Sequence, residues 1–293
     1  MTPTIGGNLI TPVASLVLAT WLSLFTGAAV GQEVAVIHCQ GSCPQYGSPI
    51  AASNAKVVIH HLYAAGLNRY NRRADWVAYR LVADAMGIAS LLPRDWQPDR
   101  LAGFAEISEL ADLAEFEPED GLPAISTAAS AYGSVATPPA DEFKPVRLAP
   151  LTGFAGAPYW AELNNTSNML PMPSALRLGA WLRLEQSLNS LVKQQEEVYV
   201  IAGPVYYNGT PPGSETLKPG ENLAGYFKIV STDSAYAGFL FPQDLPQTAS
   251  FCEQVTSIGE IEDLTGLTLL PERSPATAWN LLAELGCAGP VGP

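Results

Sequence analysis

Basic residues are what this chain has least of for its size. Fifteen Lys and Arg stand against 28 Asp and Glu, a formal net charge of −13. A protein that grips nucleic acid through many phosphates draws on clustered Lys and Arg, and a negative overall field opposes it. That balance argues against nucleic acid as a tight ligand. The densest run of bases, Arg69, Arg72, Arg73 and Arg80, is at most a local patch. Histidine is scarcer still: His38, His60 and His61 are the only three, all far upstream. No Lys or Arg precedes Lys56, so a secretory leader here would lack the usual basic beginning. Cysteine is limited to Cys39, Cys43, Cys252 and Cys287. The Cys-x3-Cys pair has no second pair beside it and no downstream histidines at finger spacing, which excludes a zinc finger. Counting alone leaves three disulfide pairings open, and an even number agrees with export. Internal repeats and a dividing linker are also absent, so residues 32–293 read as one domain with a sizeable core of its own.

The first 31 residues carry a different signal. Leu9 to Val30 is an apolar run interrupted only by Thr, Ser, Pro12 and Gly27. As a helix it would cross a hydrocarbon core. Thr26-Gly27-Ala28 and Ala28-Ala29-Val30-Gly31 equally offer small-residue cleavage sites. Residues 1–31 are therefore expected to be a signal peptide or an N-terminal transmembrane anchor. Either places the remainder in the periplasm or outside the cell, membrane-tethered through 9–30 if the anchor is kept.

The body mixes strand and helix patterns. Val57–Ile59 and Trp76–Leu81 have strand composition and read as a hairpin around a polar, Asn-bearing bend, with His60 and His61 at a strand end and no catalytic role. Gly103 to Phe116 has helical apolar spacing within an acidic stretch, and Ala124 to Pro139 is Ala/Ser/Thr/Pro-rich. Ser174 is placed to cap a helix whose apolar stripe runs through Leu176, Gly179, Ala180, Leu184, Leu188 and Leu191. On one continuous helix, Arg177 and Glu185 would share a face about 12 Å apart. Glu197 to Tyr207 reads as a buried strand ended by a Gly-Pro turn. Tyr226–Val230 and Ala235–Phe241 alternate as an antiparallel pair.

The stretch Arg147 to Glu185 carries a resemblance. LAPLTGFAG follows Arg147, then Ser167-Asn168-Met169-Leu170-Pro171, then LRLGAWLRLE from Leu176 to Glu185. This is similar to the DNA/RNA non-specific endonucleases of the ββα-metal, secreted bacterial type. Their pattern is Asp-Arg-Gly-His, a run like QAPLASLAG, SN-I-x-P and LNQGAWARLE. Arg94-Asp95-Trp96 resembles their RNW, and the likeness extends roughly from Cys39 to Cys287. It implies an α+β fold, a central antiparallel sheet flanked by helices, with 103–143 as a divergent acidic and low-complexity insert. It also implies disulfides Cys39–Cys43 and Cys252–Cys287.

The resemblance places Arg147 at the general-base histidine position and Arg177 at the metal-ligand asparagine position. An arginine neither accepts water's proton nor offers an oxygen to magnesium. Of the family's polar site only Arg94, Asn168 and Glu185 remain. The expectation is an exported pseudonuclease with a structural or partner-binding role, its site replaced by a charge cluster of Arg147, Arg177 and Glu185. On this reading there is no resident metal or cofactor, and 103–143 is the surface for an envelope or membrane protein assembly, as an accessory subunit. The alternatives are an active non-specific endonuclease with a relocated base, needing Mg or Mn, and an anion-binding pocket at the former active site.

Overall fold

The computed structural model describes residues 46–51, 56–68, 73–102, 142–207, 222–272 and 279–287. The strands in chain order are β1 (Ile50–Ala51), β2 (Lys56–Ile59), β3 (Tyr63–Leu67), β4 (Ala74–Val82), β5 (Phe143–Arg147), β6 (Met169–Pro173), β7 (Glu197–Tyr206), β8 (Leu223–Ser231), β9 (Tyr236–Pro242), β10 (Val255–Thr256) and β11 (Leu267–Thr268). Seven of them make one antiparallel sheet in the order β10-β9-β8-β7-β4-β3-β2. Strand β1 pairs with β11, and β5 pairs with β6.

Both faces of the sheet are covered, and the side-chain alternation of a strand divides each sequence between them. Along β4, Val77, Tyr79 and Leu81 enter the larger core, while Trp76 and Ala78 enter the smaller one. Along β8, Tyr226 and Val230 face the larger core, Phe227 and Ile229 the smaller. The larger core is closed by helices α1 (Ser174–Leu178) and α2 (Ala180–Leu191), through Leu176, Trp181, Leu184, Leu188 and Leu191. Helix α3 (Ile258–Thr265) closes the smaller one through Ile258 and Ile261. Both its ends are capped: the Ser257 side chain accepts from Glu260 N–H, and Gly266 turns left-handed at φ 68°. Helix α4 (Trp279–Glu284) adds Leu281 and Leu282 to the larger core, and Cys252–Cys287 bonds its far end to the body. The fold is α+β, an antiparallel sheet flanked by helices.

Several expectations are corrected. The first hairpin is a three-stranded meander, because β3 intervenes with its five residues all buried. The pair Gly203-Pro204 lies inside β7 rather than ending it. Pairing with β4 stops at Ala202, so the N–H that Pro204 lacks is not needed on that side. Ser174 does not cap its helix: Pro173 is the N-cap, Ser174 N–H goes to Glu142 O at 2.8 Å, and the buried Ser174 hydroxyl has no partner among the described residues. The single helix expected from 174 is two, divided at Gly179. A Cβ there would come within 2.4 Å of Ala175 O and 2.7 Å of Gln247 O, so the close crossing of the 247 segment requires glycine.

Transmembrane tethering is corrected as well. No helix among the described residues is long and apolar enough to cross a membrane. The longest, α2, has 12 residues, about 18 Å against a core of about 30 Å. Residues 9–30, Cys39, Cys43, and the acidic and Ala/Ser/Thr/Pro-rich stretches within 103–141 lie outside the described residues, as does the expected boundary at 31/32.

Candidate functional site

Strands β5 and β6 pair with Arg147 opposite Met169, and β6 runs directly into α1. Arg147 thus ends a strand whose partner begins one residue after Asn168, and the 149–168 connection folds back between them. Asn168 closes that connection. It is fully buried, its Oδ1 accepts from Ala149 N–H at 2.8 Å, and its Nδ2 donates to Ala149 O and Leu163 O at 3.0 and 2.9 Å. The whole amide is spent on the backbone.

Arg147 is held by neutral groups. Its Nε donates to Asn164 Oδ1 at 2.9 Å and its Nη2 to Arg94 O at 2.6 Å. The guanidinium lies over the Trp96 ring, 4.3 Å from the centroid. Asn164 is itself fixed by donating to Pro93 O at 3.1 Å. Burial, and then the charge of neighbouring Arg94, pull the Arg147 pKa down to about 10, with Asp95 opposing. At neutral pH the group stays a cation. No carboxylate among the described residues comes within ion-pair distance of Arg147 or of exposed Arg94.

Glu185 belongs to a different arrangement. Its Oε1 accepts from Lys228 Nζ at 3.1 Å, and that ammonium sits 3.8 Å from the centroid of Trp181. Lys228 is wholly buried at the centre of the sheet, on β8 between Ala202 and Phe239, and it occupies a place in the apolar alternation between Tyr226 and Val230. Trp181 and Glu185 are four residues apart on α2, one turn, and so close over Lys228 together. Burial lowers the Lys228 pKa, while the charge and hydrogen bond of Glu185 resist. Tyr79, buried in the same core, has its pKa raised by burial and then by the charge of Glu185.

The expected cluster of Arg147, Arg177 and Glu185 is therefore corrected. The break at Gly179 puts Arg177 and Glu185 on separate helices, so the one-face geometry does not arise. Glu185 pairs with Lys228, Arg147 with Asn164 and the Arg94 carbonyl, and the buried Nε of Arg177 has no hydrogen-bond partner among the described residues. Of the basic run, Arg80 pairs with Glu197 at 3.1 Å and Arg73 is partly buried, while Arg69 and Arg72 lie outside the described residues.

Sequence reasoning passed over Lys228 and Asn164, and gave Trp96 no role beyond its place in the Arg94-Asp95-Trp96 resemblance. For Lys228 a signal existed: a lone charge in the strand YFKIV needs a buried counter-charge. His60 and His61, set aside as a strand end, bind Asp99 and Glu162 at 2.8 and 2.7 Å. No group of three His, Cys, Asp or Glu able to hold a metal occurs among the described residues.

The family model for DNA/RNA non-specific endonucleases matches residues 148–275. A nuclease of Serratia marcescens is 32% identical over 263 residues, covering 86% of this chain and 87% of its own length. A nuclease of Nostoc sp. is 23% identical over 250 residues, covering 78% and 80%. A chain in the crystal structure of the EndoG/EndoGI complex, a study of EndoG inhibition, superposes with a TM-score of 0.57 at 17% identity. That match spans 80% of this chain and 92% of the solved one.

Proposed function

The chain belongs to the DNA/RNA non-specific endonuclease family, and from that premise we propose that it is a pseudonuclease whose former reaction centre binds an anionic group instead of hydrolysing a phosphodiester. The observation that carries this reading is the seating of Arg147. A cation stands at the position the family gives to its proton acceptor, oriented by Asn164, the Arg94 carbonyl and Trp96. With Arg94 beside it and no described carboxylate in an ion pair with either, the two guanidinium groups offer a phosphate or carboxylate a positive charge that Asp95 only partly offsets.

The donor set does not fit magnesium. Arg177 offers no lone pair, Asn168 Oδ1 is occupied by Ala149 N–H, and the Glu185 carboxylate is engaged by Lys228. No step of hydrolysis follows from these residues. A binding role also suits a protein partner, and 103–143, the part least like the nuclease pattern, is the proposed surface for it. That a chain of this fold occurs in the EndoG/EndoGI complex supports such a role.

The test pairs calorimetric titration with inorganic phosphate and a plasmid and RNA cleavage assay in magnesium or manganese, with a chelator control. Phosphate binding that falls about tenfold or more in Arg147→Ala and in Arg94→Ala, without cleavage, is the expected result. Metal-dependent cutting abolished by Glu185→Ala would replace this reading with an active endonuclease. No phosphate binding in a folded protein would remove the anion pocket.

A further inference from the structure

The two adjacent histidines at the end of β2 each meet a carboxylate from a different loop. His60 Nε2 lies 2.8 Å from Asp99 Oδ2, and His61 Nδ1 lies 2.7 Å from Glu162 Oε1. The backbone N–H of His61 also donates to Glu162 Oε2 at 2.9 Å. His60 stands between the two acids, because its Nδ1 is 4.0 Å from Glu162 Oε2. Its ring stacks on Tyr63, and the His61 ring lies flat on Tyr159 at 3.8 Å between centroids.

Those acids sit on the loops that build the Arg147 pocket. Asp99 follows Arg94 and Trp96, and Glu162 lies in the 3-10 turn Trp160–Asn164, which carries Asn164. The loops are already joined to each other: Gln97 N–H donates to Asn164 O, Thr166 N–H to Gln97 O, and the Gln97 amide to Ala161 O and Asn165 Oδ1. Their polar ties to β2 and β3 include the two histidines, the Tyr63–Ser167 hydroxyl pair at 2.7 Å, and Lys56 Nζ on Ala102 O at 2.6 Å.

Among the described residues, the histidines form their ion pairs with two carboxylates, Asp99 and Glu162. Asp99 and Glu162 pair with no Lys or Arg among the described residues, and Lys56 is spent on a carbonyl. Burial would raise the Asp99 pKa, yet hydrogen bonds from His60 and Ser167 and the charge of His60 hold it below the usual value, so the carboxylate stays ionised. A neutral imidazole has one N–H. If His60 gives it to Asp99, a lone pair is left pointing towards Glu162. An imidazolium carries N–H on both nitrogens and a charge that offsets buried Asp99 and half-buried Glu162, and His61 can add a second.

We infer that His60 and His61 form a proton-operated clasp. Protonated, they hold the Asp99 and Glu162 loops, and with them the seat of Arg147, against the sheet. Neutral, they release part of that grip. The clasp stands on this geometry and does not depend on what the pocket binds.

Imidazole nitrogen NMR of the unmodified full chain reads the protonation directly. On acidification His60 is expected to pass from N–H on one ring nitrogen to N–H on both. Hydrogen exchange, corrected for its intrinsic pH dependence, should slow about fivefold in 95–102 and 160–168 over the same acidification, the factor that one strengthened hydrogen bond is worth. The sheet strands should not change, and His60→Gln, whose amide takes up no proton, should lose the effect. A His60 ring singly protonated throughout overturns the clasp, even if His60→Gln fails to fold. So does a change in exchange that spreads over the sheet or survives in His60→Gln. Phosphate affinity is read separately, so a missing anion site and a missing clasp give different results.

Discussion

Lys228 meets Glu185 at 3.1 Å from within the sheet, an ammonium wholly enclosed beneath a helix and an aromatic ring. Removing either charge leaves the other buried and unpaired, which costs far more than the pair contributes. Lys228→Met is expected to destabilise the chain by about 3–5 kcal/mol in urea denaturation. Adding Glu185→Leu to it should recover most of that loss. If the double variant is no more stable than the single, the two residues are not each other's counter-charge.

Asp75 gives the protein a slope of stability with pH. Burial pushes its pKa up from 3.8 to about 6, against a weak hydrogen bond from Asn68. Between those values the native chain keeps a proton that the unfolded chain has shed. The contribution is full below about pH 4 and is lost as pH rises through about 6, a change of about 3 kcal/mol. Asp75→Asn should be more stable than the parent at neutral pH and should flatten this part of the profile, read by chemical denaturation at a series of pH values. An unchanged slope would place the titration elsewhere.

Gly179→Ala tests the division between α1 and α2. The added Cβ meets Ala175 O and Gln247 O, and the 247 segment cannot easily retreat, because Arg183 Nη2 donates to Gln247 O and to Ala249 O. The expected cost is about 1–3 kcal/mol, seen as a lower thermal midpoint. A neutral substitution would mean that the two helices can merge into one.

Much of the architecture was legible because local rules and burial agree. The β8–β9 pair alternates, and its two strands were read as an antiparallel pair. Strand β3 was hidden because YAAGL has no alternation: both its faces are covered, and Gly66 leaves room for the Trp76 indole. The site was legible in composition and not in contacts. That Arg147 cannot act as a base follows from its guanidinium, but its seat on Asn164 and the Arg94 carbonyl depends on loops brought together from distant parts of the chain. Glu185 was given the wrong partner for a related reason. Gly179 fits a helical stripe as a small apolar residue, and only the crossing of Gln247 makes it a break.

Asn168 behaves as a borrowed piece of main chain: one side-chain amide both accepts from and donates to Ala149, as an opposing strand residue would, while also bonding Leu163 O. Aspartate would set a negative oxygen against two carbonyls, and leucine would leave three polar groups stranded. The vocabulary open to this position is thus close to a single word, and architecture alone dictates it. The asparagine here testifies to the joinery of the 149–168 connection, whatever the chemistry next door.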